Sequence, residues 1–232
     1  MGLVIAGFGG AGADPGPTAV PWTTGDIENV IKMIDGADQG QINVADYWSI
    51  GQERLVDGVS WVLTDFNGTT SGGTAYNAII HTKNTIENFG MNTSNTNAGG
   101  WSSSNMRVAK MELLYNALNA RFRSMIKQVV NISGAGSASD TIQSTLDHLW
   151  LFSEKEVQGA ATYSGSQEAA RCKQMAYFKI ANNKKKTGSG TSWWLRSPDV
   201  SSSRIFCYVF SDGSPNGASA SYTFGVVAAA AI

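Results

Sequence analysis

The chain has 232 residues, with 17 Lys+Arg against 18 Asp+Glu and a formal net charge of −1. That is the length of one globular domain, or one domain plus an arm, without the cationic footprint of a protein that tracks phosphate backbones, so no nucleic acid is expected as a partner. A content of 42% hydrophobic and 10% aromatic residues excludes disorder over most of the length, and two cysteines exclude a disulfide scaffold.

The first residues, Met1 to Gly12, are apolar but lack the basic start of a signal peptide, and no run of eighteen apolar residues follows. Neither a cleaved leader nor membrane insertion is expected. Gly7, Gly9 and Gly12 stand in G-x-G-x-x-G spacing after the strand-like Leu3-Val4-Ile5-Ala6. A dinucleotide site requires a helix to open at those glycines, so that its amides face the pyrophosphate. Pro15, Pro17 and Pro21 prevent this, because each removes a donor and biases its predecessor toward extended backbone. No cofactor is expected, and residues 1–21 read as a flexible or partner-ordered arm.

Thr24 or Asp26 can cap a short helix carrying Ile27, Val30, Ile31 and Ile34, stopped by Asp35-Gly36. The arm and this helix make an attachment segment over residues 1–46, ahead of a domain over residues 47–232. Glu53-Arg54-Leu55-Val56, a turn at Asp57-Gly58 and the alternating Val59–Leu63 predict a hairpin, and Ala78-Ile79-Ile80-His81 a third strand. Between Asn67 and Gly100 the density of Asn, Thr, Ser and Gly predicts long loops.

Residues 104–130 predict one long amphipathic helix with Met106, Ala109, Leu113, Ala117, Leu118, Phe122, Met125, Ile126 and Val129 on its core face. Asp147–Ser153 reads as a strand and Glu154–Gln158 as a short acidic helix. His148 reads as a strand residue satisfied by its neighbours. No His, Cys, Asp or Glu cluster stands at metal-ligand spacing, so no metal is expected. With His81 and His148 the only histidines, no nucleophile–His–carboxylate motif is legible and no catalytic residue is assigned.

The C-terminal forty residues carry the most information. Trp193-Trp194-Leu195-Arg196-Ser197-Pro198 precedes Ile205–Phe210, a turn at Ser211-Asp212-Gly213, a polar stretch from Ser214 to Thr223, and an apolar end from Gly225 to Ile232. The hexapeptide resembles the signature of bacterial and phage W-W-L-R-S-P domains, which are similar to the formylglycine-generating-enzyme branch of the C-type-lectin-like fold. Further matches follow in order: Tyr47–Val56, Trp61–Leu63, the spacing Trp101, Ser104, Arg107, and Asp147–Val157. Gly225-Val226-Val227-Ala228-Ala229 departs from the family's Gly-Val-Arg-Pro-Ala, so the local core there must be apolar.

The resemblance implies an α+β, C-type-lectin-like fold with small antiparallel sheets, long loops and one long helix behind an N-terminal arm. It implies Trp193, Trp194 and Arg196 as interior scaffold. The paired cysteines of the family's oxidase have no counterpart at close spacing, and the calcium motifs Glu-Pro-Asn, Gln-Pro-Asp and Trp-Asn-Asp are absent from the sequence, so neither oxidase chemistry nor calcium is expected.

Along Ile205–Phe210 the two-residue period puts Cys207 and Val209 on one face with Ile205, and Phe206, Tyr208 and Phe210 on the other. If the smaller set packs inward, three rigid aromatics point out among small polar residues, which is the composition of a recognition surface. Within the same fold, variable proteins of diversity-generating retroelements bind ligands through this segment. The expected ligand-binding residues are Ser202, Phe206, Tyr208, Phe210, Asn216, Ser219, Ser221, Tyr222 and Phe224. The implied role is a phage tail or fibre protein, on a virion or bacterial cell surface, that attaches to a host receptor of protein or glycan. Its other partners would be tail subunits and further copies of itself in a homo-oligomer, a trimer among the states expected. The alternative is a structural virion protein whose aromatic strand is buried against a neighbouring subunit.

Overall fold

The computed structural model describes Val20, Pro21, Asp35, Gly36, Gly40 and residues 43–46, 48–56 and 58–232. Residues 1–19 of the expected arm, and all of the expected helix before Asp35, lie outside the described residues. Val20–Pro21 form a two-residue strand (β1) paired in parallel with Glu53–Val56 (β2), so the end of the arm segment joins a sheet.

The predicted hairpin is present: β2 pairs antiparallel with Val59–Thr69 (β3), Glu53 opposite Val62 and Val56 opposite Val59. Gly58 takes φ +78° in the connecting turn, a backbone state open to glycine at little cost. Ala75–Thr82 (β4) follows β3, and both are buried on two faces along Trp61–Asp65 and Ala78–Thr82. The six-stranded sheet is completed by Ala229–Ala231 (β13), inserted between β4 and Leu149–Trp150 (β8). Residues Val226 to Ile232 have no exposed surface, which is the apolar environment their composition requires.

A second sheet holds five strands in the order β11-β10-β9-β12-β5: Pro215–Ser219 (β11), Ile205–Val209 (β10), Trp193–Pro198 (β9), Thr223–Gly225 (β12) and Asn88–Gly90 (β5). A third is the hairpin Val129–Gly134 (β6) and Ile142–Asp147 (β7). The architecture is α+β, with short helices between small sheets.

The long helix is where sequence and structure part. Residues 100–123 break into an α-helix at Gly100–Ser103, a π-helical stretch at Met106–Met111, and α-helices at Glu112–Ala117 and Ala120–Arg123. Leu118 is extended (ψ 148°), and the Asn119 side chain accepts from Arg121 N, restarting the chain as a new helix. Met106, Met111 and Phe122 reach the core, but Leu113 is exposed and Val129 begins a strand. The apolar spacing was compatible with one helix; Asn119 supplied the competing local bond that divides it. The strand expected at Asp147–Ser153 is divided likewise, Asp147 ending β7 and Leu149–Trp150 forming β8, with His148 stacked on Tyr115 at 4.2 Å between ring centroids. Glu154–Gln158 is the short helix its sequence predicts, with a full capping box between Ser153 and Glu156.

Candidate functional site

The segments singled out in the sequence meet one another in the interior. Arg196, on β9, is fully buried and binds both carboxylate oxygens of Glu156 at 2.5 and 2.7 Å, while donating to the carbonyls of Leu151 and Ile132. Burial opposes the Arg196 charge, and Glu156 outweighs it, raising the guanidinium further above its ordinary range. Asp147 gathers the earlier spacing: its carboxylate accepts from Arg107 Nε (2.7 Å), Trp101 Nε1 (3.2 Å), Thr145 Oγ1 and Asn131 Nδ2. The buried Glu154 carboxylate accepts from the backbone of Thr162, Tyr163 and Ser164 and from the Ser164 hydroxyl. The three carboxylates of Glu156, Asp147 and Glu154 each hold several donors from separate segments, which makes them a frame.

That frame fixes β9, whose two tryptophans face opposite ways. Trp193 stacks toward Phe178 in the core between sheets, whereas Trp194 lies with Tyr208 and Phe224 at 6.1 and 4.8 Å between centroids. Tyr208 stands opposite Asn216 across β10 and β11, opposite Trp194 across β10 and β9, and stacks on Phe224 at 4.5 Å; Phe224 stands opposite Phe89 across β12 and β5. Directly opposed residues share a face, so Asn216, Tyr208, Trp194, Phe224 and Phe89 form one row across all five strands. Lys110 lies 4.7 Å over the Phe89 ring at its far end and pairs with Glu87 at 2.8 Å. Phe210 extends the row beyond Tyr208, 6.4 Å away, at 43% exposure, and Tyr222 beside Phe224 is 60% exposed.

Of the nine expected residues, the structure brings Tyr208, Phe210, Asn216 and Phe224 to this row, with Tyr222 and Ser221 on the turn next to it; Ser219 stands opposite Ile205 and so lies on the other face of the sheet. Asn216 and Ser221 are exposed, Ser219 and Phe224 half-buried. The outward row of three aromatics on β10 is corrected. Phe206 is fully buried and Tyr208 is 7% exposed, while Cys207 and Val209 on the other face are buried too, so the strand is interior on both sides and only Phe210 stands out. Tyr208 is covered by the rings of Trp194 and Phe224, and the loop at Asn97 is tied to the start of the strand, its Nδ2 donating to the carbonyls of Ser202 and Ile205. Ser202 is thereby placed at the base of that loop. Trp194 and Phe89 belong to the row and were missed, since nothing in a three-residue strand such as Asn88–Gly90 announces its sheet partner. Burial raises the Tyr208 hydroxyl above its usual range, so it is a neutral donor at physiological pH.

Other reactive groups are inert by position. Cys172 and Cys207 are buried free thiols; burial pushes Cys172 up to about 12 and Cys207 well above its ordinary value. His81 is fully buried against Phe152, Tyr177 and Phe178, with Nδ1 2.6 Å from Thr64 Oγ1, and burial lowers it to about 3. A cleft of about 460 Å³ lies between residues 107–115 and 146–149, and another of about 220 Å³ between Thr69–Ser71 and Ala170–Lys173. Among the described residues no helix is long and apolar enough to cross a membrane.

A family model described as "Domain of unknown function (DUF6273)" matches residues 76–232, from β4 to β13, which takes in the whole five-stranded sheet with its aromatic row and leaves β1, β2 and β3 of the six-stranded sheet outside the match. No curated protein and no solved structure matches the chain.

Proposed function

The chain belongs to the DUF6273 family, and on that footing we propose that its C-terminal sheet presents a ligand-binding surface and that the protein attaches rather than catalyses. The observation that carries this reading is the aromatic row across five strands, which ends in the exposed rings of Phe210 and Tyr222 among exposed Asn216 and Ser221. Large rigid rings on a fixed backbone give contact area at small entropic cost, and short polar side chains beside them give adaptable hydrogen bonds. The contact set is Phe210, Tyr222, Phe224, Asn216 and Ser221, with Tyr208 as the support beneath it.

The scaffold in this proposal is C-type-lectin-like. Its support is the order of the motifs and the meeting of Glu156 with Arg196 and of Arg107 with Asp147, which ties separate matching segments into one frame. A setting on a virion or bacterial surface, with a host receptor as ligand, rests on the resemblance of Trp193–Pro198 to phage and bacterial domains. The alternative of a strand covered by a neighbouring subunit has less support, because Phe206 and Tyr208 are already covered by their own chain.

The test is titration of fluorescently labelled protein onto whole bacterial cells. Phe210→Ala combined with Tyr222→Ala is expected to weaken attachment by at least tenfold with the melting temperature unchanged, since each is an exposed anchor. Unchanged attachment to cells that the parent protein labels would show that the surface lies elsewhere.

A further inference from the structure

The acidic sequence around Lys155 does not give an acidic surface. In the helix Glu154–Gln158 both glutamates turn inward, Glu156 to Arg196 and Glu154 to the backbone of residues 162–164, so Lys155 is the one charge left on its outer side. Gln174 Nε2 donates to the carbonyls of Val157 and Phe178, which ties this helix to Ala176–Lys179, and Asn183 Nδ2 donates to Tyr177 O, which ties that one to the helix Asn183–Lys186. Lys179, Lys185 and Lys186 are exposed, Lys155 and Lys184 half-buried. None of the five has an ion-pair partner among the described residues; Lys155 and Lys184 donate to neutral oxygens, Gly159 O and Gln158 Oε1. This face adjoins the turn that carries Phe210. Phe210 N donates to Ser214 O and Gly213 N to Phe210 O, which closes the turn. Gln158, which accepts from Lys184, also donates to Gly213 O, and a Cβ added at Gly213 would lie 3.1 Å from Lys185 N. Asp212 belongs to the same turn, its carboxyl held below the ordinary range by hydrogen bonds from Ser214 and by the Lys185 charge. Five lysines therefore gather with Asp212 beside an exposed aromatic ring, in a chain whose net charge is −1.

We propose that the attachment surface runs from Phe210 across this lysine face, and that its ligand is an anionic polymer of a bacterial surface whose repeated carboxylate or phosphate groups meet the lysines. This names the ligand chemistry of the attachment reading above and rests on it. Lysine ammoniums are hydrated point charges on flexible stems, suited to a run of anions at variable spacing rather than to one bidentate group. Charge of one sign gathered on a face also raises the local concentration of a polyanion and its rate of encounter. A polymer with one anion per unit needs only this local face. Nucleic acid is disfavoured by the chain's pI of about 6.1, since a protein that tracks it carries a basic excess over the domain.

The test is binding of the full-length protein to immobilised polygalacturonate, poly(glycerol phosphate), neutral dextran and an oligodeoxythymidylate. One of the first two is expected to retain the protein and dextran is not; retention by the first assigns carboxylate as the anion, retention by the second phosphate. Affinity for it should fall on the order of tenfold between about 50 and 200 mM salt, as lysine-held counterions are exchanged. The combined variant Lys179→Gln, Lys185→Gln, Lys186→Gln is expected to lose about tenfold or more in affinity with the melting temperature unchanged, since all three side chains are exposed. Retention by neither anionic polymer, equal retention on dextran, tighter retention on the oligodeoxythymidylate, or a lysine variant that binds as the parent does overturns the proposal. On whole cells the two ideas separate. Loss of attachment in the Phe210→Ala and Tyr222→Ala variant, with the lysine variant attaching as the parent does, sinks the polyanion and keeps the aromatic surface; the opposite pair of results keeps the polyanion and sinks the aromatic surface.

Discussion

Trp193 and Trp194 are adjacent in sequence and opposite in consequence, one in the core between sheets and the other beneath the proposed surface. Both have no exposed area. Trp194→Ala should therefore cost about 3–5 kcal/mol, as other large truncations in packed interiors do. Arg196→Ala should cost a similar 3–5 kcal/mol for a different reason, since it strands the buried Glu156 carboxylate without its countercharge. Urea denaturation of both variants checks this, and midpoints near that of the parent would contradict the buried frame. Tyr208→Ala belongs with them: at 7% exposure and stacked on Phe224, its loss should lower the melting temperature, whereas Tyr222→Ala should leave it within a degree or two.

At the scale of elements, the first hairpin, the strand after it and the capped helix were legible, and the helical region with the β6/β7 hairpin after it was not. Glu53–Val56, Val59–Leu63 and Ala78–His81 carry their β pattern in a few consecutive side chains, and Ser153 with Glu156 writes its helix start in two. The hairpin of β6 and β7 was hidden because Val129 continues the apolar spacing of Met125 and Ile126, and periodicity cannot mark where a helix yields to a strand. The aromatic row was half legible for a related reason. The alternation of β10 is a local pattern, but the burial of Tyr208 depends on Trp194 and Phe224, which come from other strands. Two element-scale outcomes follow. Ser153→Ala should cost about 1 kcal/mol by removing the helix cap. Gly100→Ala should be far more damaging: its φ is +51°, and an added Cβ would lie 2.0 Å from the carbonyl oxygen of Gly134, prising Trp101 away from the β6/β7 hairpin. Thermal melts of the two variants separate a small loss from a large one.

Over the whole molecule, two buried groups set opposing responses to acid. Burial holds His81 near 3, against about 6.5 in an unfolded chain, so below pH 6.5 the unfolded state takes up a proton that the folded state refuses. Stability from this group is present above pH 6.5 and falls as pH drops toward 3, by at most ~1.4 kcal/mol per pH unit. Burial pushes Glu168 up to about 7 from about 4.5, against the attraction of Arg196, so between pH 4.5 and 7 the folded state holds the extra proton and stability falls as pH rises. The two slopes oppose each other between pH 4.5 and 6.5, and below 4.5 His81 acts alone. Urea midpoints at pH 4, 5.5 and 7 should show the acid loss in the parent with little change from 5.5 to 7, where the slopes oppose; His81→Gln should flatten the acid loss and uncover a decline from 5.5 to 7, while Glu168→Gln should leave stability rising over that interval. An acid limb unchanged by His81→Gln would assign it to other groups.

The insertion of β13 between β4 and β8 has a kinetic consequence. His81 pairs with Ala229, and Ala228 N donates to Thr82 Oγ1 across 146 positions of chain, so the middle of the larger sheet is closed by contacts between distant parts of the chain. The β2/β3/β4 meander can form early from neighbours, but it waits with one side of β4 unpaired until Ala229–Ala231 arrives. Loop closure over that length must come before the reward of pairing, which places this chain among slow folders of high contact order. During the wait, β4 is an open apolar edge, and crowding of unfinished chains is when this protein is most prone to aggregate.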